Sequence, residues 1–464
     1  MGRTAYLSAL EALSEGQRER LLASGAMLFR QFVDEDLGCA SYLVGDEAAG
    51  ETLLVDPAYA IEQYVDEAGR SGVRIVRVLE THTHADHLSG HGRLALEHDV
   101  QVSIHAAAEA EYPHEALADG DETVVGSVSV RCLHTPGHRP EHCCFLAEDV
   151  LLTGDSLFCG SVARPDLAVE AREGAEGLFH SLHRLLELPD DVRVFPGHIA
   201  GSLCGTGMRD DPSSTIGAER RGNALLAAAT VLEFVDEATG TPMPRPPNMS
   251  RLVELNRGPF VGAMPPVRSV DEADGATVLD VRPADAYSAG HVPGALNVPV
   301  SGGSFGTRAG FLLREGERIV LHASSRAEAE LAARRLNAIG FLDLDGYLEA
   351  PDASESIEPV DVQELEGLLG SPDVQVIDVR ELDEWDEGFI PGSRHIPYRL
   401  LRAAGAQAAG GKRVVTICES GARAGIAASV LAAAGVDARP VLHGGIGDWQ
   451  RRGGHTVEFR RCGT

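Results

Sequence analysis

Two stretches of this chain carry side chains whose types and spacing could do chemistry. In the first, THTHADHLSG puts His82, His84, Asp86 and His87 within six residues, and HTPGH, LLTGDSLF and VFPGH then supply His138, Asp155 and His198. Any one of these would more often be a cap or a hydrogen-bonded loop residue than a ligand. Seven together, with 13 of the 18 histidines lying between His82 and His198, point to a metal site, because imidazole and carboxylate are the donors that hold zinc and iron. The second stretch is VVTICESGARAGIAASVLAAAG, with Cys418 where a strand gives way to a helix. The loop Cys418 to Arg423 would turn backbone N–H groups toward the thiol. A helix N-terminus there lowers the thiol pKa and stabilises an anionic sulfur. Gly421 permits the tight turn, Glu419 and Ser420 line the loop, and Arg423 would attract an anion. The plainer alternative is a buried cysteine that merely opens a helix.

These groups need elements to position them. Each candidate ligand lies just past an apolar run that reads as a strand: 75–79, 128–132, 150–152 and 192–195. Loops at strand ends are where α/β folds collect reactive groups on one edge. Tyr6 to Ala23 reads as an amphipathic helix, and from Met27 to about Glu237 strands alternate with helices. The Pro- and Gly-rich runs at 239–250 and 258–266 then read as linker. Beyond them the chain repeats. VLDVRPADAYSAGHVPGALNVP from Val278 and VIDVRELDEWDEGFIPGSRHIP from Val376 are offset by 98 residues and share nine of 22 positions. That period is too long for a solenoid unit, so it implies two homologous small domains. Strand–helix alternation in both argues for parallel sheets. The division expected is 1–250, 251–355 and 356–464.

The composition agrees. A chain of 464 residues, 44% apolar and 24% charged, is ordinary for a globular protein of several domains and unlike a disordered or fibrous one. A net charge of −30 repels polyanions and argues against nucleic acid as a partner. No secretory h-region opens the chain, and no apolar run approaches the ~20 residues of a membrane span. The expectation is a cytoplasmic protein without membrane contact, compatible with a homo-oligomer. The eight cysteines include no CxxC pair, so any that matter should act as single thiols.

The first half resembles the metallo-β-lactamase superfamily, whose H-x-H-x-D-H motif and later His, Asp and His match here in order. The resemblance implies an αββα sandwich with the metal at one edge. His84 stands where flavodiiron proteins carry glutamate, which argues against that branch. HTPGHRPEHCCFL, TGDSLFCGSVARPDLA, HIAGSLCG and PSSTIGAERRGNALL resemble persulfide dioxygenases, particularly those fused to rhodanese domains. That likeness implies one Fe(2+) per chain on His82, His138 and Asp155, with His84, Asp86, His87 and His198 around them or serving as alternative ligands. Two imidazoles and a carboxylate on one face leave open positions, as suits Fe(II) oxygenases. Arg164, Asp166, Arg220 and Cys204 become candidate substrate-side residues. Glyoxalase II enzymes use all seven ligands for two metals, so a dizinc thioester hydrolase is the alternative.

The C-terminal repeat resembles the rhodanese family. DVRELDEWDEGFIPGSRHIP and GGIGDW match its flanking motifs, with Phe389 replacing the usual histidine. The six-residue loop implies sulfur transfer rather than the phosphatase chemistry of longer-looped relatives. The middle repeat keeps the first flanking motif, but IVLHASSRAEAE brings His322 and Ala323 to the place of the cysteine, so that domain is expected to be inactive. Together the resemblances imply a bifunctional enzyme of hydrogen sulfide metabolism. Its substrates would be a small thiol persulfide and O2, with thiosulfate and sulfite exchanged at Cys418. A third reading, of another class, is a sulfur carrier or sensor whose Cys418 persulfide is read by a partner.

Overall fold

The computed structural model describes residues 27–199, 204–205, 207–240, 243–349 and 351–459. The helix expected over Tyr6 to Ala23 and Cys462 lie outside them. The chain forms two compact units. The first comprises the residues up to Arg245 with Met249–Ala263 and Ala338–Gly340; the second comprises Pro246–Asn248, Met264–Asn337 and the chain from Phe341 onward.

The first unit is built on two six-stranded sheets. One has the order β1-β2-β3-β4-β5-β6 (Met27–Val33, Ala40–Asp46, Glu51–Val55, Arg74–Leu79, Gln101–His105, Glu115–Leu117). The second draws on β7 (Glu122–Val125), β8 (Val128–His134), β9 (Cys143–Ala147), β10 (Val150–Gly154), β13 (Arg193–Pro196) and β14 (Ser214–Thr215), in the order β14-β13-β10-β9-β8-β7. A small hairpin of β11 (Leu157–Phe158) and β12 (Ser161–Val162) follows β10.

Alternation along the strands explains the layering. Ala40, Tyr42 and Val44 of β2 pack with Cys143, Phe145 and Ala147 of β9 in the core between the sheets. Leu43 turns outward toward helix Glu62–Arg70, where Ile61, Tyr64 and Ala68 meet it. Cys144 and Leu151 turn outward beneath helices Ala171–Leu185 and Val231–Thr239. The result is the expected αββα sandwich. The parallel pairs β3·β4, β4·β5 and β10·β13 present their C-terminal ends together, which is how residues far apart in sequence reach one edge.

One sequence expectation is corrected here. Between the two Pro- and Gly-rich runs, Met249–Arg257 is helical, and residues through Ala263 belong to the first unit instead of linking it to the next. Met249, Leu252 and Asn256 recur at helical spacing and are buried, and Phe260 packs against His91 and Tyr112. Such burial outweighs the loop propensity of the flanking prolines.

The second unit holds two mainly parallel sheets. One has the order β15-β19-β18-β16-β17 (β15 Ser269–Val270, β16 Thr277–Asp280, β17 Leu296–Asn297, β18 Ile319–His322, β19 Leu344–Leu348). The other has the order β21-β20-β22-β23 (β20 Val374–Asp378, β21 Arg394–His395, β22 Arg413–Ile417, β23 Ala438–Pro440). Helix Ala422–Ala433, apolar on nearly every face, is buried from Ala424 to Leu431, and its Ser429 hydroxyl accepts the Asn297 N–H of edge strand β17 at 2.9 Å. Among the described residues no helix is long and apolar enough to cross a membrane.

Candidate functional site

The seven metal-binding candidates converge at one edge of the sandwich. His82 Nε2 and His138 Nε2 lie 3.9 and 3.6 Å from Asp155 Oδ2, and all three atoms are buried without a hydrogen-bond partner. An unpaired buried polar atom costs about 1–3 kcal/mol. Three donors facing one another in this state are what a cation would satisfy, so the residues fit a metal.

Neighbouring groups orient each donor. Thr81 Oγ1 donates to Asp56 Oδ2 at 2.7 Å, so at 2.9 Å it accepts from His82 Nδ1, and the lone pair of His82 stays on Nε2. His138 Nδ1 donates to the Arg164 carbonyl at 2.9 Å with the same consequence. Burial pushes both imidazoles below their usual range, which keeps them neutral, as a ligand must be. Asp155 has one oxygen, Oδ1, held by His198 Nδ1 at 2.7 Å, which leaves Oδ2 for the cluster. Its backbone N–H donates to His142 Nε2 at 3.0 Å.

The remaining candidates surround this triad. Burial opposes charge on His198, but Asp155 and then Asp86 (Oδ2 2.7 Å from Nε2) outweigh it and raise the imidazole to about 10. His87 Nδ1 lies 3.1 Å from Asp86 Oδ1. His84 Nε2 sits 3.1 Å from Glu80 and 3.4 Å from Asp56, and despite burial those carboxylates raise it well above its usual value. His84, Asp86 and His87 form a second donor group, and Asp86, His198 and Cys204 a third, each with ligand atoms within 4.8 Å of one another.

The substrate-side candidates divide. The Arg164 guanidinium is buried and bound to both Asp166 oxygens at 2.6 and 2.8 Å and to the carbonyls of Met243 and Pro244. The pair lines a cavity of about 230 Å³ with Ala163, Glu237, Thr239 and Met243. Arg220 is not brought to the cluster: it donates to the Asp190 carboxylate and the carbonyls of Leu186 and Leu188.

Several residues of the site escaped the sequence reading. Glu80 receives Ser89 Oγ at 2.5 Å and lies 2.9 Å from His91 Nδ1. An acid ending a buried apolar strand, as Glu80 and Asp56 both do, was a usable signal. Asn256 offered none. From helix Met249–Arg257, its Nδ2 donates to the carbonyls of His84 and His87 at 2.9 and 2.8 Å, and its Oδ1 accepts Ser89 N–H at 2.9 Å. It clamps the loop that carries four candidate ligands. Asn256→Ala leaves two carbonyls and an N–H buried and unpaired, so it is expected to cost about 2–4 kcal/mol and to weaken metal retention. Denaturant unfolding and metal titration of the variant check both.

In the second unit, Cys418 follows β22 directly and is buried. Gly421 N–H points to its Sγ at 3.1 Å. Gly421 has φ +95°, and a Cβ there would meet the Leu442 carbonyl at 2.0 Å, so the turn admits only glycine. Arg423 is held by Glu384, with Nη2 to Oε1 at 2.6 Å. Phe389 stacks on Trp385 at 3.9 Å, as His291 stacks on Tyr287 at 3.8 Å in the middle repeat; the replacement preserves a packing contact.

The register settles which middle-domain residue matches Cys418. Asp280 pairs with His322 as Asp378 pairs with Ile417, and the next N–H, Val281 or Val379, donates to His322 or Ile417 alike. His322 therefore matches Ile417, and Ala323 matches Cys418. His322 Nδ1 lies 3.1 Å from Asp280 Oδ2. The following helix is closed by its own side chains, with Glu328 accepting Ser324 N–H and Ser325 accepting Glu328 N–H.

Comparisons with known proteins agree with this geometry. The metallo-beta-lactamase superfamily matches residues 34–198, and the rhodanese-like domain matches residues 268–349 and 361–452. The chain is 30% identical over 242 residues to the mitochondrial persulfide dioxygenase ETHE1 of Bos taurus, across 50% of this chain and 89% of that one. It is 30% identical over 176 residues to a probable polyketide biosynthesis zinc-dependent hydrolase, BaeB, of Bacillus velezensis, across 36% of this chain and 76% of that one. A solved metallo-beta-lactamase from Staphylococcus aureus subsp. aureus COL superposes with a TM-score of 0.64 at 29% identity, over 70% of this chain and 99% of that one. With its candidate metal-binding motif at the edge of an αββα sandwich and two rhodanese-like domains following in sequence, this chain belongs to the metallo-beta-lactamase superfamily.

Proposed function

We propose that the protein is a bifunctional sulfide-detoxification enzyme. Its first domain, residues 1–250 with the strap through Ala263, oxidises the terminal sulfur of a small thiol persulfide. The domain from 356 to 464 transfers sulfane sulfur through a persulfide on Cys418, and 251–355 is a rhodanese-like domain without a nucleophile. The observation that carries this reading is the meeting of His82 Nε2, His138 Nε2 and Asp155 Oδ2 in a chain that also holds the Cys418 loop. Two histidines and one carboxylate favour Fe(2+), one per chain. When bound, such an ion supplies the redox chemistry toward O2 that the side chains lack.

The chain's own residues prepare the site. Thr81 and the Arg164 carbonyl hold the two imidazoles in the tautomer with Nε2 available. His198 fixes the orientation of Asp155, and Asn256 fixes the loop. At the second site, Gly421, which caps helix Ala422–Ala433, points its N–H at the Cys418 sulfur.

The test is O2 uptake on adding glutathione persulfide to iron-loaded protein, with sulfite as product. The Asp86, His198 and Cys204 donor group favours a second reading, a two-metal thioester hydrolase; thioester cleavage by a two-zinc form without O2 uptake would establish it instead. For the middle domain, Ala323 at the nucleophile position predicts that His322→Ala retains sulfur transfer. Transfer by the isolated middle domain would contradict that assignment.

A further inference from the structure

The charges around Cys418 are matched, cation against carboxylate. Both terminal nitrogens of Arg423 donate to Glu384, at 2.5 and 2.6 Å. Arg380 is bound to both Asp378 oxygens and to the Gly388 carbonyl, and its Nη1 lies 3.7 Å from Glu419 Oε2. Glu419, directly after the nucleophile, is an exposed carboxylate. What the loop turns toward the sulfur is the Gly421 N–H, at 3.1 Å from Sγ.

We propose that Glu384 is a specificity-determining residue of the Cys418 site: by occupying Arg423, it selects thiol persulfides over the thiosulfate dianion as sulfur donors. The inference rests on the sulfur-transfer reading of Cys418 given above. With a persulfide R–S–SH, the Cys418 thiolate attacks the outer sulfur. The S–S bond breaks, RS⁻ leaves with the electron pair, and Cys418–S–SH remains. With thiosulfate the same attack expels sulfite, SO3²⁻, and leaves Cys418–S–S⁻. Neither exchange needs an oxidant or reductant. They differ in charge at the reacting sulfurs: thiosulfate brings two negative charges to a thiolate, three in all, where the protonated persulfide group of R–S–SH brings none. Repulsion of that kind needs an opposing cation close by. Arg423 is the cation of the loop itself, and a dianion must first draw it away from a bidentate carboxylate in a partly buried setting, where salt screens little.

The experiment uses the full chain with cyanide as common acceptor, and compares kcat/KM for thiosulfate with kcat/KM for glutathione persulfide. Glu384→Gln keeps the side-chain oxygen that accepts Glu381 N–H at 3.1 Å while removing the charge. The ratio of persulfide to thiosulfate preference is expected to fall about tenfold, chiefly through a lower KM for thiosulfate, equivalent to about 1.4 kcal/mol. Glu419→Gln, at an exposed position, is expected to move the ratio the same way by a smaller factor. Unchanged ratios in both variants overturn the proposal. Should Glu384→Gln lose transfer from both donors, the Glu419→Gln ratio decides: a fall supports charge selection and no change overturns it. Failure of the underlying reading looks different, since wild-type protein would then transfer sulfur from neither donor.

Discussion

Replacing His82, His138 or Asp155 by alanine is expected to abolish metal retention and persulfide-dependent O2 uptake together. Each substitution removes one of three donors, and the two that remain cannot hold a hydrated divalent ion against exchange. His84→Ala is the informative contrast. Its Nε2 is committed to Glu80 and Asp56, so the metal should stay largely in place. After iron-replete, oxygen-free purification we expect about one iron per chain by elemental analysis. Chelation should also lower the melting temperature, because a ligand at a hundred times its Kd stabilises a fold by about 2.7 kcal/mol. Two tightly held zinc ions and no O2 uptake would sink the dioxygenase proposal.

The second large effect concerns Cys418. A serine hydroxyl cannot form a persulfide, so Cys418→Ser is expected to abolish sulfur transfer outright. Arg423→Ala should weaken it less, because the nucleophile and the Gly421 N–H remain. The decisive comparison supplies thiosulfate and a thiol as the sole sulfur source. If the loop feeds the metal site, wild type consumes O2 slowly and Cys418→Ser not at all, and preformed persulfide restores uptake in both. Equal uptake in both proteins under thiosulfate would show that another thiol carries the sulfur, and buried Cys204 beside Asp86 and His198 would be the next to examine.

Much of this was legible in the amino-acid order. The motif of candidate ligands, the strand runs that precede them, the 98-residue repeat and the cysteine at a strand-to-helix junction are all local patterns. They depend on alternation and turn chemistry that operate within a few residues. The layer order followed from the same alternation, since Tyr42 and Leu43 had to face opposite ways.

Tertiary structure decided what depends on groups distant in sequence. Asn256 lies 172 residues from His84, and nothing local marks it as the clamp of the ligand loop; only the packing of helix Met249–Arg257 brings it there. The choice of Ala323 over His322 required the strand register, because a one-residue slip exchanges the two faces of a strand. Arg220 has the same charge as Arg164, yet it is spent on Asp190 and two carbonyls, while Arg164 supports His138 through its backbone oxygen. Arg423 likewise looked like a free anion receptor until Glu384 was found on it. Residue type and spacing determined which chemistry this chain can do. Which partner each charged group took was decided by the fold, because an ion pair is set by separation in space.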